Sequence, residues 1–142
     1  MTINQLSIFI ENRSGTLIKV LDALKEAKIQ IVASTIADTA EYGIYRLICS
    51  EPLRAFEDLK KAGVAVALSD VLAIELDNQP GRAADAIETF SKAGISITYM
   101  YSFLLNGKGI LIFRTDNAEQ ARETILNNNL KYIAEEDLTT YA

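Results

Sequence analysis

Histidine and tryptophan are both missing from the chain, and cysteine occurs once, at Cys49. Without an imidazole there is no Ser-His-Asp or Cys-His catalysis, no histidine metal ligand and no imidazole general base. A lone cysteine forms no internal disulfide, which points to the reducing cytoplasm. The longest apolar runs, such as Ile95–Leu105, are interrupted by Ser and Thr and fall far short of a bilayer. The opening residues, Met-Thr-Ile-Asn-Gln-Leu, show neither a basic start nor a small-residue cleavage site, so no secretory signal is expected. Positive charge is also in short supply, with 14 basic against 19 acidic side chains and a formal net charge of −5. That balance argues against nucleic acid, whose binders must neutralise phosphates. What is present is apolar: 49% of 142 residues, enough to fill the core of one ordinary domain or two very small ones.

An internal repeat organises the chain. Asn12-Arg-Ser-Gly15 returns as Asn78-Gln-Pro-Gly81, and the same offset carries Leu6 to Leu72, Ile8 to Ile74, Ile29 to Ile95, Gly43 to Gly109 and Ala55 to Ala121. No insertion or deletion is needed, which marks a tandem duplication. Each half is near the size at which a lone core is marginal, so the halves are expected to pack together. The domains read as residues 1–68 and 70–142, with no Gly/Ser/Pro-rich linker and only about Leu68–Asp70 as a joint.

Each half reads strand, helix, strand, strand, helix, strand. Leu6–Ile10 is an apolar strand ending at a turn signal, and Leu17, Val20, Leu21, Leu24 and Ala27 recur at helical spacing. Ser14 or Asn12 is placed to cap that helix. Ile29–Ala37 and Gly43–Cys49 form a hairpin, Pro52 opens a second helix that Gly63 ends, and Val64–Leu68 closes the unit. The second half repeats the plan with Val71–Leu76, a helix through Ala83 and Phe90, a hairpin of Ile95–Leu104 and Gly109–Thr115, a helix at Asn117–Asn127 and a strand near Lys131–Ala134. Strict alternation puts Ile95, Ile97, Tyr99, Tyr101 and Phe103 on one face. Glu135-Glu136-Asp137 reads as a solvated acidic end. The fold class is α+β: two ferredoxin-like βαββαβ units, each with two helices on one face of an antiparallel sheet.

Rivals on this plan lack their residues. An acylphosphatase-like enzyme wants a Gly-rich phosphate loop, metal carriers want Cys-x-x-Cys, and RNA binders want a basic surface. The duplicated unit, with a strand running into Glu/Asp-Asn-x-x-Gly and a helix starting at that glycine, resembles the ACT domain. Ile10-Glu-Asn-Arg-Ser-Gly15 and Leu76-Asp-Asn-Gln-Pro-Gly81 carry the resemblance, and it covers Thr2–Leu68 and Asp70–Ala142.

That resemblance implies a non-catalytic regulatory protein that senses a free amino acid and acts on a separate enzyme or transporter of amino-acid metabolism. ACT domains pair side by side, joining their sheets with the helices on one side. Many bind an amino acid at the interface, using the first loop of one domain and the start of the second strand of its neighbour. The loop positions are Asn12, Arg13, Ser14, Gly15, Thr16 and Leu17, and Asn78, Gln79, Pro80, Gly81, Arg82 and Ala83. The strand starts are Gln30 and Ile31, and Ser96 and Ile97. A homodimer is expected, with no cofactor, metal, nucleic acid or membrane partner. The chemistry stands without the family: a helix N-terminus offers N–H groups and partial positive charge to a carboxylate, and Arg13 and Arg82 can assist. The loops differ, Arg13 becoming Gln79 and Thr16 becoming Arg82, so the two sites are expected to be unequal. The alternative is a ligand-independent protein–protein interaction module with degenerate pockets.

Overall fold

The computed structural model describes residues 2–11, 15–38 and 42–139. They divide into two compact units: Asn4–Ser69 with residues 136–139, and Asp70–Glu135 with residues 2–3. The first unit runs β1 (Ile3–Glu11), α1 (Thr16–Glu26), β2 (Ile31–Asp38), β3 (Tyr42–Cys49), α2 (Pro52–Lys61) and the opening of β4 (Val66–Leu76). The second takes the rest of β4, then α3 (Arg82–Lys92), β5 (Ile97–Leu105), β6 (Lys108–Thr115), α4 (Ala118–Asn127), β7 (Lys131–Tyr132) and the start of α5 (Glu135–Thr139). Each is therefore a βαββαβ unit.

In the first unit β3 lies between β2 and β1 with antiparallel pairing on both sides, and the Phe9 N–H donates to Ala65 O at 2.9 Å, just before β4. The second unit repeats that order, with β6 between β5 and β4 and β7 on β4. Helices cover one face of each sheet. Leu6, Ile8, Leu47 and Cys49 meet Val20, Leu24, Ala55 and Leu59 in the first core. Leu72, Ile74, Leu111 and Phe113 meet Ala86, Phe90, Ala121 and Ile125 in the second.

Four expectations change. The closing strand of the first half and the opening strand of the second are one strand, β4, with no joint at Leu68–Asp70. The reason is phase: Val66 and Leu68 pack on the first core, and Leu72, Ile74 and Leu76 on the second, so the alternation passes through Ser69-Asp70 unbroken. The face shared along Ile95–Phe103 is also broken. Ile97 stands opposite Thr115, but Tyr99 stands opposite Arg114, so a bulge at Thr98 turns Tyr99, Tyr101 and Phe103 away from the helix side that Ile97 packs on. The first unit has the same shift between Ile31 and Ala33. The last strand is shorter than Lys131–Ala134, although the Ile133 N–H still donates to Ala73 O at 2.9 Å. Finally, the acidic end, expected to be solvated, is also helical. One helical turn exposes Glu136 and Asp137 while Leu138 is completely buried.

Candidate functional site

The turn between β1 and α1 is closed by Thr16, whose Oγ1 donates to Glu11 O at 2.8 Å. Gly15 occupies the N-cap position of α1 at φ 94°. This is the left-handed region, and nothing lies within 4 Å of a Cβ built there, so a side chain would be opposed by the backbone rather than by crowding. Glycine also has no side chain with which to cap the helix. Asn12, Arg13 and Ser14, the expected ligand contacts and caps, lie outside the described residues. Leu17 is half-buried and packs on the first core.

Beside this turn opens a cleft of about 580 Å³. Phe9, Ile10, Val20, Val64 and Ala65 give it apolar walls, while Glu11, Thr16 and Lys19 supply an anion, a hydroxyl and a cation. Lys19 has no ion-pair partner among the described residues, and Phe9 is 49% exposed. Of the expected ligand residues that are described, only Thr16 is on this wall. Phe9, Lys19 and the stretch Gly63–Ala65 are not among the ligand residues expected from the sequence. One signal was available, since Phe9 is an aromatic residue immediately upstream of the loop; the meeting of Gly63–Ala65 with Thr16 and Lys19 is made by the tertiary structure.

The second turn also ends on a left-handed glycine and is furnished differently. Gly81 stands at φ 87° before α3, and the Gln79 N–H donates to Asp77 O at 2.8 Å. Asn78, Gln79, Pro80, Gly81, Arg82 and Ala83 are all exposed. The Arg82 guanidinium, expected to assist a carboxylate, is already engaged: Nη1 lies 3.3 Å from Asp85 and Nε 3.9 Å from Asp77. Lys108 approaches the other Asp77 oxygen at 3.9 Å.

The strand starts lie elsewhere. Gln30 and Ile31 line a separate cleft of about 530 Å³ at the C-terminal end of α1, with Lys25 and Lys28 at its rim. The Gln30 N–H donates to Ser50 Oγ at 3.0 Å. Ser96 is exposed and Ile97 half-buried ahead of the bulge. Within the first unit, then, Thr16 and the strand start line different hollows. Among the described residues no helix is long and apolar enough to cross a membrane.

Comparison with known proteins supplies the family. A family model described as an ACT domain pair matches residues 1–142. Protein BT0572 from Bacteroides thetaiotaomicron, a crystal structure, is 37% identical with a TM-score of 0.94, over 98% of this chain and 96% of that one. The ligand-free regulatory subunit of aspartate kinase from Thermus thermophilus has a TM-score of 0.63 at 17% identity, over 87% of this chain and 91% of that one. Its counterpart from Thermus flavus has a TM-score of 0.60 at 18% identity, over 87% and 90%. At such identities the likeness to the kinase subunits is one of fold. No curated protein matches the sequence. With the match running the whole length of the chain, this protein belongs to the ACT domain pair family.

Proposed function

We propose that this ACT domain pair is a non-catalytic regulatory protein that binds a free amino acid beside the turn opening a first helix, and passes that event to a separate partner in amino-acid metabolism. The observation that carries the reading is the open cleft flanked by Thr16, Glu11 and Lys19. A zwitterion has a place for each of its parts there. Its carboxylate meets the N-terminal end of α1 and the Lys19 ammonium, and its ammonium meets the Glu11 carboxylate. Its side chain lies on Phe9, Val20 and Val64. The regulatory role extends to this chain what the fold-sharing subunits of aspartate kinase are described as doing.

The strand starts, Gln30 and Ile31 with Ser96 and Ile97, act in this reading from a second copy of the chain, which makes the working form a homodimer. Ligand then alters partner affinity through the interface, as a coupling free energy between two sites. Cys49, a buried cysteine in no disulfide, suits the cytoplasm.

The test is a thermal-shift screen against the twenty L-amino acids with D-enantiomers as controls, read with an external dye because the chain has no tryptophan. A stereoselective rise with one or a few L-amino acids supports the reading; no rise with any overturns it. A second reading, ligand-independent docking of a protein partner, draws on β5. This strand carries no charged residue along its nine positions and exposes Met100 and Leu104. A partner captured equally well with and without amino acid would favour it.

A further inference from the structure

We propose that the two units are unequal in a specific way: the first unit's cleft takes a neutral amino acid with an apolar side chain, and the equivalent place in the second unit is an ionic clasp that takes none. This rests on the amino-acid reading above and narrows it to one site and one ligand class.

The repeat offset maps every wall of the cleft onto the second unit. Phe9 and Ala65, neighbours through the Phe9 N–H to Ala65 O bond, become Glu75 and Lys131, register partners on β4 and β7. There the Lys131 ammonium lies 3.2 Å from a Glu75 carboxylate oxygen. Thr16 becomes Arg82 and Lys19 becomes Asp85, and these two also pair, at 3.3 Å. An aromatic ring, a methyl group, a hydroxyl and an ammonium with no ion-pair partner among the described residues have been replaced by two ion pairs. The glycine before the helix stays the same in both, so the helix terminus does not distinguish the units.

Two physical consequences follow. An arriving carboxylate meets Lys19 in the first unit and Asp85, a like charge, at the same place in the second. An apolar side chain finds Phe9 and Ala65 in the first, and in the second would cover Glu75 and Lys131 and strip them of water. The exposed pairs are individually weak. Their effect comes from committing Arg82 and Lys131 to carboxylates and from putting charge where Phe9 and Ala65 line the apolar wall. The same wall in the first unit rejects a charged side chain, which would lose its hydration against Phe9 and Val20.

The experiment is calorimetric titration of the full chain with L-leucine, L-isoleucine, L-valine and L-phenylalanine, and with L-glutamate as the charged comparison. One equivalent per chain is expected for at least one apolar amino acid, with L-glutamate weaker. Lys19→Asp should weaken binding by about tenfold or more, since it exchanges attraction for repulsion. The double variant Phe9→Glu with Ala65→Lys installs the second unit's pair in the first; it should abolish binding without lowering the Tm, because both side chains are well exposed. Glu75→Ala with Lys131→Ala should leave affinity and stoichiometry unchanged. Two equivalents per chain, unchanged affinity in both first-unit variants, or tighter binding of L-glutamate would each overturn the inference while leaving an amino-acid sensor in place. No binding of any of the twenty amino acids would instead remove the functional reading beneath it.

Discussion

Lys28 occupies a backbone conformation that disfavours it. It follows the C-cap of α1 at φ 58°, and its counterpart after α3 is Gly94 at φ 75°. A left-handed residue with a Cβ costs about 1–2 kcal/mol, partly offset because glycine loses more freedom on folding. Lys28→Gly should therefore stabilise the protein by about 0.5–1 kcal/mol in urea unfolding, with an unchanged m value. Charge acts at a second residue. The Arg54 guanidinium donates Nε to Glu51 Oε1 at 3.1 Å and holds that carboxyl below its ordinary value of 4.5. A lowered folded pKa gives stability that is present above 4.5 and lost as the pH falls through the folded value. Stability curves for Glu51→Gln should accordingly lie below those of the parent at pH 7 and converge with them in acid. Equal separation at pH 7 and pH 3 would contradict that sign. At this scale the loop motif is visible from residue types alone: two glycines, one register, one kind of turn. The engagement of Arg82 by Asp77 and Asp85 is not, because one of its two partners sits on the strand end and the other on the helix.

At the scale of elements, apolar spacing accounts for most of what is seen. Helix α3 buries Ala86 and Phe90, as the period of its apolar residues requires. The Phe90 ring centroid lies 4.9 Å from that of Phe113 on β6, tilted by 48°. Phe90 is also wholly buried, so it is the anchor of helix to sheet. Phe90→Ala should destabilise the protein by about 3–5 kcal/mol in chemical denaturation. A loss below about 1 kcal/mol would mean the site collapses around the void. Spacing also shows its limits here. A bulge adds one residue to a strand without leaving a mark in the hydrophobicity, so the faces of Tyr99, Tyr101 and Phe103 were read on the wrong side relative to Ile97. Strand β4 failed the opposite way: a polar Ser-Asp pair looked like a joint, but the strand runs straight through it. Pro52 in the first turn of α2 and the Asn106-Gly107 turn, with φ of 52° and 77°, carried no such ambiguity because each residue type dictates its own φ.

For the whole molecule, ligand occupancy and stability are linked. A ligand at about a hundredfold over its Kd stabilises the native state by ~2.7 kcal/mol. For a chain of this length that corresponds to roughly 5–10 °C in Tm. The rise should grow with the logarithm of ligand concentration and disappear in the Phe9→Glu, Ala65→Lys variant. A Tm that rises equally in parent and variant would place the ligand elsewhere. The duplication gives this measurement an internal comparison, since both units share a plan and the cleft residues Phe9, Thr16, Lys19 and Ala65 are replaced in the second by Glu75, Arg82, Asp85 and Lys131.

The amino-acid sequence by itself determined the duplication, the βαββαβ order of each half, the two glycine turns and the absence of imidazole and disulfide chemistry. These follow from residue type and from periods of two and 3.6, which are local and need no knowledge of what packs where. Tertiary structure decided which residues meet. It made one strand of two, turned the aromatic face of β5, folded the acidic end around Leu138, and brought Phe9, Lys19 and Gly63–Ala65 to a common cleft from segments far apart in the chain. Such meetings depend on register and on chain reversal, and side-chain contacts across them leave no periodic signal along the sequence.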